Sequence, residues 1–220
     1  MRTRRVAILI YDQVEVLDFA GPFEVFAVAG ELHDERYFEV TLVAAEDRPY
    51  TAVNGLKVLP NRTFATLDDP DVLVVPGGNG SRNAMQDDAL LAWVRQASES
   101  AEVVLSVCSG ARILARLGLL DGLDVTTHHK VFAHLAELAP AARLCPGRRY
   151  VDTGKIVTTG GISAGIDGSF HLVSRLAGED AALRAARYME YDWHPDTAGE
   201  DAATSSAQVR AQGPWPHSHS

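Results

Sequence analysis

The stretch Glu102-Val103-Val104-Leu105-Ser106-Val107-Cys108-Ser109-Gly110-Ala111-Arg112 decides the reading of this chain. A nearly unbroken apolar run is the pattern of a strand buried on both faces. It runs straight into a cysteine, and Gly110 opens a helix at once. Strand, sharp turn and helix in this order make a nucleophile elbow, which presents its central side chain at the carboxyl end of a sheet. Ligand crevices open there in doubly wound folds. The N–H groups and positive dipole end of the following helix are expected to lower the Cys108 pKa and raise its thiolate fraction. The plainer alternative is a small buried hydrophobe. The other cysteine, Cys145, precedes Pro146 in a loop beside basic residues and has no elbow. Two cysteines in 220 residues exclude a disulfide-stapled framework.

Outward from the elbow, strand-like and helix-like segments alternate. Val6–Tyr11, Phe38–Ala45, Val72–Val75, Val103–Val107 and Asp124–Thr127 read as strands. Tyr150–Asp152 and Lys155–Thr159 read as a hairpin around Thr153-Gly154. Helical spacing covers Asp18–Ala29 (Pro22 in its first turn), Asp87–Ala101, Ala111–Leu117, Val131–Leu138, Ser163 to about Leu176 and Glu179 to about Tyr191. This alternation predicts an α/β fold: a doubly wound, mostly parallel sheet with helices on both faces, a flavodoxin-like sandwich. One domain is expected over 1–193, followed by a polar tail over 194–220. His217 and His219 in that tail form a His-x-His that reads as incidental, and no metal site is expected.

The chain has 20 basic and 29 acidic residues, a net charge of -9, which argues against nucleic acid as a main partner. No apolar run approaches the roughly 20 residues of a spanning helix, and the basic start MRTRR leads into no export-type segment. A soluble cytoplasmic protein acting on a small molecule, with no membrane partner, is expected.

Other segments can carry chemistry. Gly161-Ile162-Ser163-Ala164-Gly165 matches the G-x-S-x-G of serine hydrolases. The preferred reading is a Ser163 that caps the long helix after a glycine turn. Pro76-Gly77-Gly78 follows a buried strand, and its backbone N–H groups could form an oxyanion hole facing a ligand. Gly78-x-Gly80 is no dinucleotide fingerprint, because Asn83 stands where the last glycine belongs. Asp18, among apolar residues after the first strand, is either an N-cap or a carboxyl group aimed into the crevice as a proton donor or acceptor. His128, at a strand end beside His129, is a structural histidine or a base.

Five stretches, LDFAGPFEVF (17–26), VVPGG (74–78), SVCSGARILARLGLLDG (106–122), VTTHH (125–129) and TTGGISAGID (158–167), together resemble the ThiJ/PfpI superfamily, which has a class I glutamine amidotransferase-like fold. The resemblance covers about residues 5–192. Within the superfamily it is nearest to isocyanide hydratases and to the sensor domains of amidotransferase-like regulators. It implies Cys108 as nucleophile, Asp18 as the acid beside it, Ser109 where those enzymes carry an active-site threonine, and Gly78 in the turn facing the thiol. It implies no metal or organic cofactor, and a homodimer. The implied reaction is hydration of an isocyanide to an N-substituted formamide. Glyoxalase or deglycase chemistry on reactive aldehydes, and a non-catalytic ligand or redox sensor, are the alternatives. Ser109 replaces the histidine that follows the cysteine in protease-like members, so a Cys–His pair is not expected at that spot. Glu190 follows Tyr188 and Met189, so the His-x-Glu of true amidotransferases is missing there. His129 stands where hydratases often have an aromatic residue. With no helix-turn-helix segment, a complete DNA-binding regulator is not expected.

Overall fold

The computed structural model describes residues 2–32 and 37–195. In chain order the elements are β1 (Arg4–Leu9), α1 (Val16–Glu31), β2 (Phe38–Ala44), β3 (Tyr50–Thr51), β4 (Lys57–Val58), β5 (Arg62–Thr63), β6 (Val72–Val75), α2 (Ser81–Ala84), α3 (Asp88–Ser100), β7 (Val103–Ser106), α4 (Ala111–Arg116), β8 (Asp124–Val125), α5 (Phe132–Leu138), β9 (Arg143–Leu144), β10 (Tyr150–Asp152), β11 (Ile156–Thr159), α6 (Ala164–Ala177) and α7 (Glu179–Tyr188).

Seven strands form the main sheet in the order β10-β11-β7-β6-β1-β2-β5. All pairs are parallel except β10 with β11. The chain winds outward from β1 in both directions, first to β2 and β5, then to β6, β7 and β11. The fold is therefore the doubly wound α/β sandwich that the alternation predicts. Four consecutive residues of β1, and all of β6, β7 and β11, are buried. Each fully buried Val, Leu or Ile contributes about 1.5–3 kcal/mol relative to exposure. Helices surround the sheet, and α1, α6 and α7 pack on one another.

Three expectations change. Asp124–Thr127 joins no main-sheet strand: β8 pairs in parallel with β9 in a separate two-stranded sheet. Its last two residues bond through side chains instead. Thr158 Oγ1 accepts from Thr126 N–H at 2.9 Å, and Thr127 Oγ1 donates to Cys108 O at 2.7 Å. Helix α1 starts at Val16, so Asp18 lies inside its first turn and is no N-cap; Pro22 then falls beyond the first turn. Proline has no N–H, so the Asp18 carbonyl has no i+4 donor. Ser163 precedes α6 but makes no capping hydrogen bond through its side chain. The tail from 196 onward, with His217 and His219, lies outside the described residues. No helix among the described residues is long and apolar enough to cross a membrane.

Candidate active site

The parallel strands β1, β6, β7 and β11 deliver Tyr11, Gly77, Cys108 and Ile162 to one edge of the sheet. At the centre, Val107 N–H donates to Val75 O and Cys108 N–H to Gly160 O, each at 3.0 Å, fastening the exit of β7 to both neighbouring strands. Cys108 takes φ 55°. A side-chain-bearing residue in that region costs about 1–3 kcal/mol and persists only where its surroundings impose it. Gly110 is required for the turn: a Cβ there would lie 2.0 Å from Val75 O. Cys108 thus stands on a nucleophile elbow, buried but for 7% of its surface.

Helix α1 brings Asp18 beside it, fully buried. Gly77 N–H donates to Asp18 Oδ2 at 2.9 Å. Oδ1 is buried without a hydrogen-bond partner. The Cys108 thiol is the neighbouring side chain whose approach favours the carboxylate. Burial pushes the Asp18 carboxyl up to about 7; the Gly77 N–H opposes this and the negative Glu15 adds to it. Burial and then the adjacent Asp18 push the Cys108 thiol up to about 12, against the N–H groups of Ser109 and Ile162. The depressed thiol pKa expected from the elbow is therefore not found. Desolvation and a neighbouring carboxylate outweigh the backbone donors. At neutral pH the resting pair is a thiol facing a carboxyl group that gains and loses its proton.

The glycine turn also acts differently from expectation. The Gly77 amide holds Asp18, and the Gly78 amide donates to Ser109 Oγ at 2.9 Å. Both donors expected to form an oxyanion hole are thus committed to protein groups. Gly78 is needed for its backbone, with φ 113° and a Cβ position 2.4 Å from Gln13 O. Ser109 Oγ also lies 3.1 Å from Gly78 O and accepts from Ser81 Oγ at 3.1 Å. Its hydroxyl ties the turn to the elbow. The N–H groups that act on the sulfur are those of Ser109 and Ile162.

His128 packs its ring against Gly161, where a Cβ would meet it at 2.2 Å, and against His129, with ring centroids 4.2 Å apart. Its Nδ1 accepts from Lys130 N–H at 3.2 Å. Burial, His129, Lys130 and Arg112 lower its pKa, so it is neutral at pH 7. Among the described residues no hydrogen bond joins it to Cys108. Ser163 is exposed with helical φ −65°, and its only hydrogen-bonding side-chain partner among the described residues is Arg149 at 3.5 Å. In that G-x-S-x-G it is Ile162 that takes a positive φ, 53°, so no serine elbow forms. Cys145 sits apart, its thiol 3.7 Å from Arg143 O.

Several site residues escape the sequence reading. The Tyr11 hydroxyl donates to Pro76 O at 2.6 Å, with Gly77 O at 3.1 Å, bracing the glycine turn. Burial raises its pKa well above the ordinary value and keeps it neutral. Tyr11 reads only as the end of an apolar run. Ile162 reads as the x of a serine motif, although a β-branched residue at positive φ is strained backbone beside the Cys108 thiol. Arg112, an arginine within an otherwise apolar helix start, is the one such signal legible beforehand.

The family model described as the DJ-1/PfpI family matches residues 4–175. An isonitrile hydratase of Pseudomonas putida is 34% identical over 211 residues, covering 94% of this chain and 88% of that relative. A solved ThiJ/PfpI family protein from Pseudomonas syringae is 30% identical with a TM-score of 0.79, over 96% of this chain and 86% of that one. The Drosophila melanogaster DJ-1beta structure shares the fold, with a TM-score of 0.77 at 18% identity over 87% of this chain and 100% of its own. Fold, elbow and sequence match agree: this chain belongs to the DJ-1/PfpI family.

Proposed function

We propose that the protein is an isocyanide hydratase, adding water to R–NC to give R–NH–CHO. The observation that carries this reading is the Asp18 carboxyl, fully buried, fixed by Gly77 N–H and set against the Cys108 thiol. The similarity to an isonitrile hydratase supports it. The Cys108 thiol gives its proton to the Asp18 carboxylate as sulfur bonds to the terminal isocyanide carbon. Asp18 returns the proton to that carbon, leaving a thioimidate, R–N=CH–S–Cys108. The Asp18 carboxylate then takes a proton from water as its oxygen bonds to the same carbon. That proton passes to nitrogen, the C–S bond breaks, and the O–H proton returns to sulfur as the formamide leaves. A carboxyl group near pKa 7 suits this double use, because a general acid–base is most effective close to the working pH. The Ser109 and Ile162 N–H groups stabilise the sulfur when it carries charge. A raised thiol pKa is unfavourable for peroxide sensing, which needs a standing thiolate.

The test is a panel of one alkyl and one aryl isocyanide with wild type, Cys108→Ser and Asp18→Asn, alongside methylglyoxal. Formamide is expected from wild type, with kcat/KM lower by at least about a hundredfold in each variant. Lactate from methylglyoxal with no formamide, while an established hydratase works in parallel, would replace this reading with the glyoxalase one.

A further inference from the structure

One buried charge remains unused by this chemistry. Arg112, the second residue of α4, is only 3% exposed. Among the described residues it forms no ion pair. Its Nε donates to His134 Nδ1 at 3.0 Å and its NH1 to Ser81 Oγ at 3.0 Å. Neither acceptor, an imidazole nitrogen or a hydroxyl oxygen, is an anion. A guanidinium carries five N–H donors in a planar fork that matches a carboxylate two-by-two. The two contacts leave most of that fork without a protein acceptor among the described residues. A buried cation without a counter-charge is costly, and an anion brought against it recovers that cost.

The guanidinium is also linked to the elbow. Ser81 Oγ, its acceptor, donates in turn to Ser109 Oγ, next to the nucleophile. The groups around Arg112 that can become negative are Cys108 and Tyr11. Arg82 of α2 adds positive potential to Arg112, and Arg112 with His129 and Lys130 adds it to His128. The acids at the nucleophile, Asp18 and Glu15, belong to the α1 side. A chain of net charge -9 therefore has one cationic flank beside its thiol.

We propose that Arg112 anchors an anionic group of the substrate, so that the molecule presented to Cys108 is a small isocyanide bearing a carboxylate. The word isocyanide rests on the proposed hydratase function, whereas the anion anchor stands on Arg112 alone. The fork takes the carboxylate, the acidic α1 flank repels it, and the opposite end of the molecule is left at Cys108 and Asp18.

The decisive experiment needs no turnover. Cys108 is alkylated with iodoacetate, an anion, and with iodoacetamide, its neutral analogue; in both the sulfur displaces iodide. The Cys108 peptide is followed by mass, so Cys145 does not interfere. The iodoacetate-to-iodoacetamide rate ratio is expected to exceed that of a free cysteine peptide by at least about tenfold. It should fall to the peptide value in Arg112→Leu and recover in part in Arg112→Lys. N-formylglycine should protect Cys108 in wild type and not in Arg112→Leu. A wild-type ratio equal to the peptide's, or one unchanged by either substitution, overturns the anchor. If Arg112→Leu does not fold, the wild-type ratio and Arg112→Lys decide. In turnover, isocyanoacetate should exceed its methyl ester in kcat/KM by at least about tenfold; equal use of the two also counts against the anchor. Hydration of neither, with the alkylation ratio intact, rejects the hydratase function and keeps the anchor.

Discussion

Asp18 and Cys108 share one desolvated environment, and the carboxyl group bears a measurable cost for being there. Its pKa is raised to about 7 in the fold, against about 3.9 in an unfolded chain. Between those values the folded protein holds a proton that the unfolded chain has released. Stability must therefore fall as pH rises from about 4 to 7 and level off above. Asp18→Asn is expected to remove this slope and to raise stability at pH 8 by up to about 4 kcal/mol. Urea unfolding at pH 5 and pH 8 checks it; parallel pH slopes for variant and wild type would show that the carboxyl group is not buried in solution. Gly110 makes the opposite kind of demand. With a Cβ position 2.0 Å from Val75 O, Gly110→Ala should cost more than about 3 kcal/mol, read from the denaturation midpoint. At this scale the sequence disclosed Cys108 and Asp18, because an apolar strand ending in a cysteine and a lone acid in an apolar helix start are both unusual. It did not disclose where the Gly77 and Gly78 amides point, because hydrogen-bond direction depends on segments 59 and 31 residues away. The thiol pKa departs from what the helix start predicts for a related reason: the helix start is local, but burial is a property of the packed fold.

Among the elements, the long and fully buried strands were legible and the two-residue ones were not. A run such as Val72–Val75 carries its own signature. Pairs such as Tyr50–Thr51 with Lys57–Val58 are too short to show a period and exist because neighbouring chain holds them. The β10–β11 hairpin was visible from Thr153-Gly154, yet what fixes it to the rest of the molecule was not. Asp152 on β10 lies 2.6 Å from His171 Nε2 and accepts from Arg175 NH1 at 2.8 Å, both on α6. Although burial alone would raise it, hydrogen bonds from His171 and Gly154 and the Arg175 charge hold its pKa down at about 2. A depressed carboxylate pKa stabilises the fold above the unfolded value near 4, and that contribution is lost as pH falls toward about 2. Asp152→Asn should cost about 1–2 kcal/mol at pH 7, allowing for partial exposure, and should flatten acid unfolding between pH 4 and 2. Equal losses at pH 7 and pH 2 would mean that the ion pairs do not form.

For the molecule as a whole, the resemblance to known relatives implies a homodimer, and we infer that exposed apolar side chains beside the site contribute to its interface. Leu17, next to Asp18, and Ile162, next to the thiol, are 37% and 38% exposed. We expect the wild type to sediment as a dimer at micromolar concentration and Leu17→Asp to shift it toward monomer. A wild type that remains monomeric there would place the functional unit in a single chain. The overall architecture was the most legible feature of all, since alternating strand and helix periods leave few topologies for a parallel sheet. The site drawn across that sheet has a kinetic consequence. Residues 77, 108 and 162 come from three strand exits and Asp18 from the first turn of α1, and they meet only when β1, β6, β7 and β11 are all in register. Contacts of such long sequence separation form late in folding. During refolding, helical signal should return before Cys108 becomes shielded from a thiol reagent, and the proposed hydratase activity should return last. Any partly assembled form would carry an exposed, ordinary cysteine in place of the buried one.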